Sequence, residues 1–237
     1  MRRRMLIAAA MLSAATVLPT TAARAANVPL YQASFETGLE GWGPSGFSSR
    51  PIVVSTSNLV ATDGSQSMSV RQTGDGFSWN TKREGNSSNT SDPFYQAWNA
   101  MSTLPENEVF VEFDVIYRGD DIPDTATFMN VLVYLNNDNG FRQIPADVAL
   151  LTGADIAANI DKTFNITIPI SQFGGFGDKI PSNANFYQLG WSMNGNWGSG
   201  DATVYFDNVR LSVIPEPGVA GLGAVILAAA AAHLRRR

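Results

Sequence analysis

Glu112 and Asp114 stand two residues apart in a run where Val109, Val111, Phe113, Val115 and Tyr117 alternate with Phe110, Glu112, Asp114 and Ile116. On a strand that spacing turns both carboxylates the same way. Paired carboxylates can hydrolyse glycosides, but the same spacing is also what an ordinary solvated strand face shows, and we adopt that reading. Trp79, Tyr95, Trp98, Trp191 and Trp197 carry flat rings that suit the apolar faces of pyranose sugars, if they are exposed. Core packing competes with that role at each of them; Trp79, in a polar stretch, is the hardest to assign to a core. Trp42 reads as core. The chain has no cysteine, and its one histidine, His233, lies four residues from the C-terminus. Thiolate chemistry, a Ser-His-Asp triad and histidine-ligated zinc or iron are therefore excluded from the central part of the chain. Carboxylates, tyrosines and lysines remain.

The elements that must position these groups read as strands. Leu30 to Phe35, Ile52 to Val54, Ser67 to Arg71, Glu108 to Tyr117, Thr127 to Leu135, Phe164 to Ile170, Phe186 to Met193 and Thr203 to Val213 are apolar or alternating. Asn136-Asn137-Asp138-Asn139-Gly140 supplies turn residues that tolerate a left-handed backbone, and Phe141 starts the return strand. Asp147 to Ile160 reads as a short helix interrupted by Gly153. Gly74 to Asp92 is Gly-, Ser- and Asn-rich and reads as a long surface loop. Short strands between Gly, Asn, Asp and Pro loops predict one all-β antiparallel sandwich over residues 26–213.

Between residues 26 and 214 there are nine basic and twenty acidic residues, a net charge of −11. That surface repels phosphate backbones and argues against a nucleic-acid partner. It suits divalent cations or simple solubility.

The ends carry addressing signals. Arg2-Arg3-Arg4, an apolar run from Met5 to Leu18 and Ala23-Arg24-Ala25 form the three regions of a secretory signal peptide, with cleavage expected between Ala25 and Ala26. Residues 219–234 are apolar and would span about 24 Å as a helix at ~1.5 Å per residue, somewhat short of a ~30 Å hydrocarbon core. Arg235, Arg236 and Arg237 follow and should stay cytoplasmic. Pro215-Glu216-Pro217, the apolar stretch and the arginine cluster, in that order, resemble the PEP-CTERM sorting signal of Gram-negative bacteria. The resemblance implies processing by a membrane-embedded exosortase that recognises Pro215, Glu216 and Pro217. The expected division is a signal peptide at 1–25, a folded domain at 26–213 and a sorting signal at 214–237. It implies an exported protein that passes through a membrane-anchored intermediate to the cell surface or the exterior.

Within the domain, Ser34-Phe35-Glu36-Thr37-Gly38-Leu39-Glu40-Gly41-Trp42, Ala61 to Val70, Thr167 to Phe173 and Tyr205 to Leu211 appear in an order that resembles jelly-roll, galactose-binding-like carbohydrate-binding modules. That resemblance implies a jelly-roll β-sandwich and one structural calcium tying the first strand to the last. Glu36 and Asp207 stand at the matching positions, and Asp63 is a weaker third ligand. Calcium takes several hard oxygen ligands, some from backbone carbonyls. The Glu112–Asp114 pair also resembles laminarinase-type hydrolases, but those carry a third acid shortly after, where this chain has Val115, Ile116 and Tyr117. The expectation is a non-enzymatic surface or matrix protein associated with exopolysaccharide. A true glycan-binding module is the alternative, and a carboxylate glycosidase or lyase the third reading.

Overall fold

The computed structural model describes residues 27–144, 148–173 and 183–214. The signal peptide, Ala25 and Ala26, the Pro215-Glu216-Pro217 motif, the apolar stretch and Arg235 to Arg237 lie outside the described residues. Among the described residues no helix is long and apolar enough to cross a membrane.

Among the described residues, twelve strands form two antiparallel sheets. They are β1 (Val28–Ala33), β2 (Trp42–Pro44), β3 (Ile52–Ser57), β4 (Ser67–Thr73), β5 (Ser78–Asn86), β6 (Val109–Tyr117), β7 (Phe128–Asn137), β8 (Gly140–Gln143), β9 (Ala149–Thr152), β10 (Lys162–Pro169), β11 (Phe186–Gly195) and β12 (Asp201–Val213). Two α-helices among the described residues, α1 (Pro93–Met101) and α2 (Gly153–Ala157), join them. The first sheet runs β10-β6-β12-β4-β3, and β1 pairs with β12 beyond the end of β4. The second runs β2-β5-β11-β7, with β8 and β9 sharing its last edge. From β4 onward nearly every connection crosses from one sheet to the other, so the chain winds around a single core.

Alternation makes that core. Val109, Val111, Phe113, Val115 and Tyr117 of β6 turn inward, and Tyr187, Leu189, Trp191 and Met193 of β11 answer from the second sheet. Trp191 is the centre: its ring stacks on Trp42 (4.2 Å between centroids) and Phe206 (4.7 Å) and meets Phe113 edge-on at 5.3 Å. Each such aromatic removed from water contributes roughly 1.5–3 kcal/mol.

The first correction concerns Gly74 to Asp92. It holds β5, the second strand of the second sheet, and is not a surface loop. Its polar residues are buried because they are paired: Asn80 Nδ2 donates to Gln72 Oε1 at 2.7 Å, and Thr81 Oγ1 to the Gly43 carbonyl at 2.8 Å. Buried polar groups cost little once hydrogen-bonded, so composition alone misassigns the strand. The helix α1 was not expected either. Asp92 caps it by accepting from Phe94 N, and Pro93 sits in its first turn. Both are start signals legible in sequence. Its apolar face packs on β1, β5 and β11, with Trp98 stacked on Tyr187 at 5.7 Å. The helix expected over Asp147 to Ile160 is strand β9 followed by the five-residue α2, and Gly153 starts the helix where it was expected to interrupt it. A Cβ on Gly153 would lie 2.8 Å from the Thr127 carbonyl, so that close approach needs glycine. The turn after β7 is as expected: Asn137 pairs with Gly140 around Asp138 and Asn139.

Candidate functional site

The second sheet's outer face carries a cleft of about 380 Å³ lined by Phe47, Trp79, Tyr134, Asn136, Phe141 and Gln188. The period of two places these residues. On β7, Val131, Val133 and Leu135 face the core, so Tyr134 and Asn136 face out; on β11, Gln188 and Gly190 do the same. Gly190 pairs with Tyr134 on one side and Lys82 on the other. Having no side chain, it lets the Tyr134 ring lie flat over the strand, which leaves that ring 4% exposed. Phe141 stacks on Tyr134 at 5.3 Å, and Trp79 meets Tyr134 and Phe141 edge-on at 5.0 and 4.8 Å.

Trp79 also meets Phe77 edge-on at 4.8 Å. The outermost rings are open: Phe47 is 72% exposed, Phe141 41% and Phe77 40%. Phe47 projects from a loop fixed on both sides. Ser45 Oγ donates to the Trp79 carbonyl at 2.6 Å, and the Ser48 and Ser78 hydroxyls lie 2.5 Å apart. An apolar ring held in water by its neighbours has the form of a recognition surface.

A polar row completes the cleft. Lys82 Nζ donates to Glu84 Oε2 at 2.7 Å, Gln188 Nε2 donates to the same oxygen, and Asn136 Nδ2 donates to Gln188 Oε1 at 2.9 Å. Partial burial pushes the Glu84 carboxyl up, but the hydrogen bonds from Lys82 and Gln188 and the Lys82 charge leave it below the usual range. Burial pushes the Tyr134 hydroxyl well above its ordinary value.

Of the aromatics expected to stack on sugars, only Trp79 lies in this cleft. Tyr95, Trp98, Trp191 and Trp197 are 4%, 2%, 0% and 1% exposed, and that is a correction: they are core. Their positions on inward faces of α1 and β11, or at the Trp197 loop, cannot be told from outward ones by residue type. Phe47, Tyr134, Asn136, Phe141 and Gln188 were missed. The signal for Gln188 was present, since it shares the polar phase of β11 with Gly190, Ser192 and Asn194; Tyr134 and Asn136 share their phase of β7 with Phe128 and Leu132, which hides them.

Glu36, Asp63 and Asp207 all touch one loop but do not converge on a point. Glu36 accepts from Ser65 N and Gln66 N, both at 2.7 Å, and from Ser65 Oγ at 2.8 Å. These donors hold its carboxyl below the usual range, Ser65 N first among them. Gly64, at φ +74°, makes room, since a Cβ there would sit 2.4 Å from Glu36 Oε1. Asp207 accepts from Thr62 N (2.6 Å), Asp63 N (2.8 Å) and Asn208 N (2.7 Å). Burial pushes its carboxyl up against those bonds. Asp63 takes a bond from Gln32 Nε2 at 3.2 Å. Among the described residues no three His, Cys, Asp or Glu side chains form a metal-holding group. A cation needs oxygens where this loop presents N–H groups, so the residues as arranged do not fit calcium.

Glu112 and Asp114 do face one way, on the first sheet's outer face; that face is solvated along β10, where Thr163, Asn165 and Thr167 are exposed, and closed over at Asp114. Asp114 is 5% exposed, with Thr62 Oγ1 and Asn165 Nδ2 donating to it. Glu112 accepts from Asn27 Nδ2 and Ser212 Oγ, both at 2.8 Å. They belong to the first sheet and the cleft to the second, and their oxygens are engaged.

No family model matches the chain, and no curated protein sequence is similar to it. Solved structures share its architecture at low identity. A carbohydrate-binding module specific for non-crystalline cellulose is 16% identical with a TM-score of 0.50, over 76% of this chain and 92% of that one. A mannan-recognising carbohydrate-binding module is 12% identical with a TM-score of 0.46, over 80% and 99%. A carbohydrate-binding module of the β-sandwich superfamily with promiscuous specificity is 12% identical with a TM-score of 0.46, over 75% of this chain and 60% of that longer one. The match at a TM-score of 0.50 agrees with the fold that the strands define: an all-β sandwich of two antiparallel sheets.

Proposed function

We propose that this domain is a non-enzymatic glycan-binding module that holds a polysaccharide chain in the cleft of its second sheet. The observation that carries this is the aromatic surface of the exposed Phe47 and Phe141 and the half-buried Trp79 beside the amides of Asn136 and Gln188. Flat rings stack on the apolar faces of sugars, while amides read hydroxyls. The glycosidase reading is set aside because the cleft lining has no carboxylate pair, and Glu112 and Asp114 belong to the other sheet. The winding of the chain supports a jelly roll. The module specific for non-crystalline cellulose makes a soluble, single-chain glucan the first ligand to test. Affinity electrophoresis of the full chain through gels containing hydroxyethyl cellulose, xylan or galactomannan tests the reading. Retardation by at least one polymer, lost in Trp79→Ala, supports it; equal mobility of both proteins in every gel refutes it.

The addressing signals place that module in a context. Export by residues 1–25 and exosortase processing at Pro215-Glu216-Pro217 would deliver it outside the cytoplasmic membrane, where exopolysaccharide is the available ligand. At Glu36 and Asp207 the hydrogen bonds support a metal-free clamp on the 62–66 loop. A calcium ion there would require that loop to turn carbonyls toward the two carboxylates.

A further inference from the structure

Lys82, Glu84, Gln188 and Asn136 form one hydrogen-bonded row across β5, β11 and β7. The sheet fixes its order, because Gln188 pairs with Glu84 on one side and with Asn136 on the other. An ionised carboxylate only accepts hydrogen bonds, whereas an amide has a donating and an accepting end. Glu84, held by Lys82, therefore compels Gln188 to turn its NH2 group toward it. The Gln188 oxygen then faces Asn136, which must answer with its own NH2. Asn136 Oδ1 is what remains, and among the described residues it has no partner. One charge on β5 thus decides which end of an amide two strands away faces the cleft.

We propose that Glu84 is a positioning residue which, by orienting Gln188 and Asn136, gives the cleft an acceptor at Asn136 Oδ1 and so selects neutral, hydroxyl-bearing chains over anionic ones. The inference rests on the glycan-binding reading above. A sugar hydroxyl donates to that oxygen. A uronate or sulfate group in the same place brings only acceptors, and two facing acceptors leave both desolvated and unpaired. The Lys82 ammonium, the cation of this row, is held by Glu84 at 2.7 Å.

The test uses the full chain and two sets of probes: hydroxyethyl cellulose, xylan and galactomannan as neutral polymers, alginate and polygalacturonate as anionic ones. Wild type should bind a neutral polymer more tightly than either anionic one. Glu84→Gln keeps the size of the side chain but can offer either end to Gln188, so the row loses its fixed polarity. The neutral-to-anionic affinity ratio should fall at least about tenfold, the equivalent of one hydrogen bond to a charged partner. Asn136→Ala removes the acceptor itself and should weaken neutral binding by about tenfold, without depending on how position 84 folds. Trp79→Ala should abolish binding to every polymer. If wild type binds no polymer, the glycan reading fails. If wild type binds and Trp79→Ala does not, while Glu84→Gln keeps the wild-type ratio or Asn136→Ala binds as wild type, the glycan reading stands and the role of Glu84 is overturned. Equal wild-type binding to neutral and anionic polymers also overturns it.

Discussion

Tyr134 lies across Gly190. A Cβ built on Gly190 would sit 2.3 Å from the Tyr134 ring carbon Cζ and 2.5 Å from the Thr81 carbonyl. The missing side chain is what lets a tyrosine become the floor of the cleft, with Phe141 and Trp79 resting on it.

Gly190→Ala should therefore lift Tyr134 and break the aromatic wall. Overpacking of this kind costs about 1–3 kcal/mol. Chemical denaturation should register that loss of stability, and affinity electrophoresis should show loss of polysaccharide retardation. A Gly190→Ala protein with wild-type mobility shift would show that the Tyr134 floor is dispensable.

The loop at residues 62–66 is held by Glu36 at one end and Asp207 at the other, through N–H donors. Thermal melts with calcium and with chelator should coincide. A bound ion would instead raise stability by about 2.7 kcal/mol at a hundredfold excess over Kd. Asp207→Ala leaves Thr62 N and Asp63 N without their acceptor and should destabilise by more than about 2 kcal/mol in either buffer. A chelator-sensitive melt would restore the calcium site expected from the sequence.

Asp155 completes the capping box of α2 by accepting from Thr152 N, and pairs with Lys162 at 2.9 Å. Hydrogen bonds from Thr152, then the one from Lys162, pull its carboxyl down to about 2 from an ordinary 3.8. A carboxyl lowered on folding stabilises fully above its unfolded value, and that contribution disappears as pH falls through the folded value. Stability from Asp155 should thus be present at pH 5 and be lost between about pH 4 and pH 2. Asp155→Asn should melt below wild type at pH 6, with the gap closing near pH 2. A constant gap across that range would mean that the charge on Asp155 contributes nothing.

With the terminal segments acting as the addressing signals proposed above, residues 26–214 should face the periplasm before processing, because the arginines at either end would stay inside. An alkaline phosphatase fusion after Val213 should be active, and a cytoplasm-only reporter at the same place silent. Intact mass of protein from the native host should lack the segment after the Pro215-Glu216-Pro217 motif. A full-length, membrane-bound product would make the apolar stretch a plain anchor.

Most of the sandwich was legible. β6, β10 and β11 alternate cleanly, β12 carries the apolar Val204 to Phe206, Val209 and Leu211, and the Asn-rich turn after β7 announces its hairpin, because these signals arise from neighbours within a few residues of sequence. β5 was not legible. Its Asn80 and Thr81 look like loop residues until Gln72 and Gly43 are brought against them. Asp92-Pro93 marked the start of α1, but a helix in an all-β pattern is easily passed over.

The sequence by itself determined the chemistry available: no thiol, no histidine near the domain, an acidic surface, and aromatics and amides as the recognition groups. It also determined the two-fold alternation that decides which residues of a strand can share a face. Only the tertiary structure decided which face is wet. Trp79 and Trp191 are the same residue type on neighbouring strands, yet one lines the cleft and the other is the centre of the core. That assignment depends on which side of each sheet receives the other sheet. It also depends on a missing side chain at Gly190 and on a row of pairings between Glu84, Gln188 and Asn136, which stand 104 and 52 residues apart in sequence. Contacts between residues so distant in the chain leave no local periodicity, and only the packing of the two sheets creates them.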